Sequence, residues 1–201
     1  MVMKIWTMDV EKNVESGLRF SKLLDRHGLG GEFYFCGSLV DKFPDICKKI
    51  SKRHKIGGHG YYHEEFGQIS KRKQEETILK VKDAFGKNGL RLDWWRFPDF
   101  SFTNLSFRLL VKHGILNDSS LKSNWARWPT GYIWAKTLKY EHKLTFPWQF
   151  PKELTERPWS AVDLTEGNEF LNQDGRIVLH CFNYPKIEKT VEEVLKRSSG
   201  R

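Results

Sequence analysis

The stretch "GEFYFCGSLVDKFPDICKKISKRHKIGGHGYYHEEF", residues 31–66, decides the fold. Its opening, "GEFYFCG" (31–37), is a short aromatic run bracketed by glycines and predicts a strand. "DKFPDICKKISKRH" (41–54) spaces its apolar residues as a helix does, with Pro44 suited to the first turn. "KIGG" (55–58) predicts a second strand. Strand, helix and strand over so short a span imply a parallel β/α unit. The unit runs into "HGYYH", where His59 and His63 stand four apart. Residue types leave two readings open here: a metal site, or a polar turn that carries two histidines. Two imidazoles at i and i+4 can meet one ion if the segment makes a helical turn. Gly57, Gly58 and Gly60 let the backbone turn tightly as it leaves the strand.

The same alternation continues on both sides. "VMKIWTM" (2–8), "LRLDWWRF" (90–97), "ILND" (115–118) and "GRIVLHCFNY" (175–184) predict strands. "VESGLRFSKLLDRHG" (14–28), "SKRKQEETILKVKDAFGKNG" (70–89), "NLSFRLLVKHG" (104–114) and "KIEKTVEEVLKRSS" (186–199) predict helices. Between 119 and 150, a stretch rich in Trp, Pro and Gly suits a long loop or a pair of short strands. The expectation is an α/β fold of parallel β/α units, with residues 1–201 as a single domain. In such folds chemistry sits on the loops that leave the carboxyl ends of the strands. Those ends carry, in order, "MDVE", "HGYYH", "RFPDFS", "NDSS" and "LHCFNY". Polar, metal-competent side chains thus collect at one rim.

Composition sets the outer limits. Lys and Arg number 34 against 25 Asp and Glu, a net charge of +9. The basic residues are dispersed as "KKISKRHK" (48–55), "KRK" (71–73) and a late "KR", the pattern of solvated helix faces. Nucleic-acid binding, which needs a basic stripe with interleaved aromatics, is not expected. A weak association with an anionic membrane surface is compatible with the charge. Cys36, Cys47 and Cys181 form no CxxC pair and are odd in number. They read as small buried hydrophobes in a reducing compartment. "MVMKIWTMDV" shows no secretory leader, and no apolar run approaches the roughly 18 residues of a membrane span, so a cytoplasmic protein is expected.

Three further candidates stand at the rim. Asp9 and Glu11, two apart in an extended segment, face the same side, so one carboxylate can bind metal while the other acts as a base. Two solvated acids at a strand end would look the same. His180 follows three apolar strand residues and is either a hydrogen-bonded core histidine or part of the rim. Arg96, after "DWW", needs an anionic partner such as Asp9, or lies against a Trp ring.

The five segments, in this order, resemble the motifs of the polysaccharide deacetylase family, carbohydrate esterase family 4. "HGYYH" is similar to the family's His-(Ser/Thr)-x-x-His metal motif, with Gly60 at the Ser/Thr position. "RFPDFSF" resembles the Arg-x-Pro motif through Arg96 and Pro98; "NDSS" supplies Asp118, and "VLHCF" the Leu-His of Leu179 and His180. The likeness covers residues 1 to about 118 and about 175 to 184. One departure concerns the opening motif, usually Thr-Phe-Asp-Asp-Gly. Here the run is Thr7-Met8-Asp9-Val10-Glu11, which resembles the subset with Asp-x-Asp or Asp-x-Glu. A second is that no acid following Asp118 is found to tune the histidine of the last motif.

The resemblance implies a distorted (β/α) barrel with about seven parallel β/α units. It implies metal-assisted hydrolysis of an N-acetyl amide on an amino sugar or its conjugate. By resemblance, Glu11, His59 and His63 hold one divalent ion, zinc foremost, and Asp9 is the base; the swap of Asp9 and Glu11 stays open. His180 is then the acid and Arg96 the residue that holds Asp9. Pro98, Asp99, Phe100 and Asp118 fall to substrate binding, with the Asp99 amide as oxyanion donor. A soluble precursor, nucleotide sugar or lipid-linked sugar is favoured over cell-wall polymer by the cytoplasmic expectation. Trp125, Trp128 and Trp134 are either a stacking wall for sugars, or core packing or a lid. Alternatives are removal of a formyl group, or opening of another C–N amide, at the same site. A non-catalytic glycan-binding module is the other class, favoured by Val10 and answered by Glu11 if that side chain reaches the histidines.

Overall fold

The structure, a computed structural model, describes residues 4–121, 132–136, 141–145, 153–156, 161–162 and 176–198. Strands β1 (Ile5–Val10), β2 (Gly31–Phe35), β3 (Lys55–Gly58), β4 (Trp94–Trp95), β5 (Asn117–Asp118), β8 (Thr155–Glu156), β9 (Ala161–Val162) and β10 (Arg176–His180) form one sheet. Its order is β8-β5-β4-β3-β2-β1-β10-β9, and every pairing is parallel. Helices α1 (Val14–Arg26), α2 (Gly37–Lys42), α3 (Pro44–Ser51), α4 (Lys71–Lys87), α5 (Asn104–Lys112) and α6 (Tyr184–Ser198) follow β1, β2, β3, β4 and β10. The fold is α/β of the distorted barrel type. Among the described residues eight strands join the sheet and a helix follows five of them.

Strand alternation sorts the side chains. In β1, Trp6, Met8 and Val10 are buried under the helices, and Trp6 meets Phe20 of α1 edge-on at 6.3 Å. Thr7 and Asp9 point to the other face, into the barrel. There Arg96, just past β4, reaches Asp9 of β1 at 2.7 Å. On a flat sheet these strands would lie about 14 Å apart, three strand spacings. Contact between their side chains therefore requires the sheet to curl.

Several elements are shorter than their sequence pattern. The segment 41–54 is not one helix: α2 ends at Lys42, and α3 restarts with Pro44 as its first residue. Proline lacks the N–H that would continue the turn and disfavours helix at the residue before it. The strand expected over 90–97 narrows to Trp94–Trp95. Within 119–150 the described pieces are a pair of strands, β6 (Tyr132–Lys136) and β7 (Glu141–Thr145), paired antiparallel. Trp134 lies in β6, while Trp125 and Trp128 lie outside the described residues. Among the described residues no helix is long and apolar enough to cross a membrane.

Gly58 is required by close approach. A Cβ there would stand 2.6 Å from the ring of Trp95 on β4. Gly58→Ala should cost about 1–3 kcal/mol through overpacking, read as a lower midpoint of thermal unfolding. Deeper in the barrel, Arg176 donates two 2.8 Å hydrogen bonds to Glu32. Burial would raise the Glu32 pKa, but the Arg176 contacts outweigh it and hold it below the usual carboxylate range. Glu32 thus contributes stability above its unfolded pKa of about 4.3 and loses that contribution as pH falls through the lower folded value. Glu32→Gln should be less stable than wild type at neutral pH, with the gap closing on acidification, as urea unfolding at several pH values would show.

Candidate active site

The site is built on strand ends in register. Asp9 pairs with His180 on one side and Tyr34 on the other, and Val10 aligns with Phe35, Phe35 with Gly58, and Gly58 with Trp95. One step past that level come Glu11, His59 and Arg96. Val10 is fully buried against α1, where a Cβ on Gly17 would lie 3.3 Å from its Cγ2. It faces away from the barrel interior, so Asp9 and Glu11 share the inner face.

The segment 59–63 is not a helical turn. It is a bend in which Gly60 and His63 adopt positive φ, 67° and 71°. Histidine is among the few non-glycine residues that tolerate this region, and the conformation folds the ring back over the site. The bend is tied down on all sides. Gly37 and Ser38, at the start of α2, donate their amides to the carbonyls of Gly60 (2.9 Å) and Tyr61 (3.0 Å). Glu64 Oε2 accepts the amides of Tyr61 (2.7 Å) and Tyr62 (3.0 Å). The Tyr61 hydroxyl donates to Asp41 at 2.8 Å.

Glu11, His59 and His63 each bring a donor atom to a group whose members lie within 4.8 Å of one another. Glu11 Oε1 is 3.2 Å from His63 Nε2 and 3.7 Å from His59 Nε2. Neither Nε2 atom has a partner with hydrogen-bond geometry, although both are buried atoms. The other nitrogen of His59, Nδ1, lies 2.9 Å from the Arg96 carbonyl oxygen. Donation to that oxygen fixes the tautomer and leaves Nε2 a lone pair aimed at Glu11. Burial would raise the Glu11 pKa; the two imidazoles outweigh this and lower it. Burial would lower that of His63, and Glu11 reverses the sign. Two imidazole nitrogens without hydrogen-bond partners and a carboxylate, converging within 4.8 Å, fit a divalent cation.

Beside this group, Asp9 Oδ2 is 3.9 Å from both His59 Nε2 and His180 Nε2. Asp9 Oδ1 accepts from Arg96 NH1 at 2.7 Å. Arg96 is fully buried and its guanidinium also donates to Thr7 Oγ1 (3.0 Å), the Ser119 carbonyl (2.9 Å) and Ser119 Oγ (2.8 Å). It lies 4.1 Å over the Tyr34 ring. Burial disfavours the charge, but Asp9 more than compensates and raises the pKa.

The remaining candidates divide. Asp99, at φ 50°, lines a cleft of about 440 Å³ with Glu11, Lys12, Tyr62, His63, Glu65, His180 and Phe182. Its backbone N–H has no acceptor among the described residues. Pro98 and Phe100 are buried, Pro98 beside Gly60. Asp118 does not line the cleft: it is fully buried, and its carboxylate accepts the amide (2.9 Å) and hydroxyl (3.0 Å) of Ser120. Ser120 Oγ in turn accepts the Phe97 amide at 2.9 Å, so Asp118 shapes the loop bearing Asp99 from behind. Sequence reasoning missed Tyr34, Ser119 and Glu64. Only the serine pair in "NDSS" and the acid after "HGYYH" hinted at the last two.

A parallel β/α barrel gathers two histidines, a carboxylate and a separately held aspartate at its carboxyl rim, a donor set into which a divalent ion would fit. Residues 9–117, more than half of the chain, match the polysaccharide deacetylase family, and the chain belongs to that family. It is 32% identical over 113 residues to a peptidoglycan deacetylase of Helicobacter pylori, covering 53% of this chain and 37% of that protein. It is 26% identical over 82 residues to a peptidoglycan-N-acetylglucosamine deacetylase of Bacillus cereus, covering 40% of this chain and 30% of that one. The match thus spans about a third of the length of these curated relatives. A CE4 family pseudoenzyme from Bacillus anthracis superimposes with a TM-score of 0.67 at 14% identity, covering 98% of this chain and 61% of that chain. The family 4 carbohydrate esterase from Streptomyces lividans, in complex with acetate, gives 0.65 at 13%, covering 98% and 90%. These two likenesses show the fold.

Arg96→Ala should lower the free energy of unfolding by about 3–5 kcal/mol, because it removes one partner of a buried ion pair and leaves the Asp9 carboxylate without its guanidinium donor. Urea unfolding measures it; a variant as stable as wild type would mean that Asp9 finds another donor.

Proposed function

We propose that this chain removes the N-acetyl group from an amino sugar of a glycan by metal-assisted hydrolysis. The carrying observation is the pair of orphaned imidazole nitrogens, on His59 and His63, that face Glu11 Oε1 beside an aspartate anchored by arginine. The names of the two curated relatives support glycan of the peptidoglycan type as the substrate class. That shifts the reading away from a soluble precursor and toward polymer or its fragments.

Glu11, His59 and His63 would hold a divalent ion, zinc foremost, which when bound would supply Lewis acidity to the hydrolysis. The protein's own groups do the rest. Arg96 occupies Asp9 Oδ1 and leaves Oδ2, on the side of His59 and His180, to accept the proton of the attacking water. The water oxygen bonds to the acyl carbon. Asp99 lines the cleft, and its N–H is the donor we assign to the carbonyl oxygen as it gains charge. His180 gives a proton to the amine nitrogen as the C–N bond breaks, so acetate and a free amine leave. Tyr62, 69% exposed, and Phe182, 40% exposed, present aromatic faces to the cleft, where the apolar face of a sugar ring can rest.

Purified protein supplied with zinc should bind about one ion per chain, and His63→Ala should lose it on dialysis, as elemental analysis would read. Acetate release from N-acetylglucosamine oligomers and peptidoglycan fragments should fall about 100-fold or more in Asp9→Asn. Tyr62→Ala should raise KM with little change in kcat, since it removes binding made equally in both states. Formate from formylated substrates, without acetate, would move the activity to a deformylase. Metal-free wild type after zinc addition would overturn the hydrolase reading in favour of a binding module.

A further inference from the structure

Glu11 lies one residue beyond the end of β1, past the last residue paired with β2. A side chain at that place lacks the strand ladder that fixes Asp9. Its amide instead donates to the sulfur of Cys181, at 3.4 Å, and the Asn13 amide donates to the same sulfur at 3.5 Å. The backbone N–H of Cys181 donates to the Asp9 carbonyl at 3.0 Å. Cys181 is fully buried and directly follows His180. One residue therefore grips the segment on both sides of Val10 and is bonded in the chain to the candidate acid. A second thiol repeats the device: Cys36 Sγ, one residue past β2, donates to the His59 carbonyl at 3.2 Å.

We propose that Cys181 is a positioning residue for the cation site, its sulfur accepting the Glu11 and Asn13 amides so that a carboxylate placed beyond the strand still meets the two histidines. This rests on Glu11 being a ligand. The need for it follows from the Asp-x-Glu arrangement: a ligand two residues after the base has left the sheet and needs an anchor of its own. The large, polarisable sulfur accepts both amides at these distances, and a serine hydroxyl in the same place keeps an acceptor aimed at them.

The test compares wild type, Cys181→Ala, Cys181→Ser and Cys47→Ala, the last an equally buried thiol in α3. Cobalt affinity is read by chelator competition, and exchange of the Glu11 and Asn13 amides by NMR on the metal-free protein. Cys181→Ala should bind cobalt about tenfold more weakly or worse, Cys181→Ser should recover most of the loss, and Cys47→Ala should match wild type. Both amides should exchange at least about tenfold faster in Cys181→Ala than in wild type. Wild-type affinity and exchange in a folded Cys181→Ala protein would overturn the proposal. If Cys181→Ala does not fold, the serine variant decides, and a folded Cys181→Ser protein with alanine-like loss of cobalt and of amide protection would overturn it. Should wild type itself bind no cobalt, the hydrolase reading fails, and amide exchange alone tests whether the thiol holds Glu11.

Discussion

A guanidinium with no exposure to water governs this molecule. Arg96 has to find an acceptor for its donors inside the barrel, and it does so on Thr7, Asp9 and both the carbonyl and hydroxyl of Ser119. Those partners lie on β1 and just past β5, on opposite sides of β4 in the sheet order. Each bond pulls strand ends toward one point, and removal of the ion's hydration is repaid only if all form together. The same residue offers its carbonyl to His59 and its ring-facing side to Tyr34. From Tyr34 the hydrogen bonds continue to Glu32 and on to Arg176. The barrel is thus filled, from rim to base, by charges that alternate in sign, where a purely apolar filling would have left the aspartate unanchored.

Much of this was legible in the sequence, for identifiable reasons. Alternating strands and helices announce themselves through period and punctuation, so the β/α order and the collection of polar segments at one rim could be read directly. Glu11 could be placed beside Asp9 because two residues along a strand is one full repeat. What escaped is what depends on distance across the sheet. Nothing in "GEFYF" says that Tyr34 will lie under a guanidinium contributed by β4, and nothing in "NDSS" separates Asp118, which props a loop, from Ser119, which binds Arg96. The bend at 59–63 escaped for a different reason. Four-residue spacing fits a helix and a doubled-back loop equally, and only Gly60 and His63 in left-handed conformation distinguish them. Cysteines with no partner cysteine read as filler, yet Cys36 and Cys181 each hold the backbone of a candidate ligand.

Val10 shows how a departure from a motif can be conservative in space. The second acid stands two residues after Asp9 and so on the same inner face, and the residue between them becomes free to serve the core. Val10 is accordingly packed on Gly17 of α1. The barrel keeps its inner chemistry while gaining apolar contact outside, and the cost is transferred to the loop after β1.

The bend that carries His59 and His63 is braced by α2, by Glu64 and by Tyr61 on Asp41, which Lys87 of α4 also grips at 3.0 Å. Each of these braces runs between groups of the chain itself, so the shape of the bend is set by the packing of α2 and α4 behind it. Substitutions on those two helices, away from the rim, would therefore be felt at both histidines.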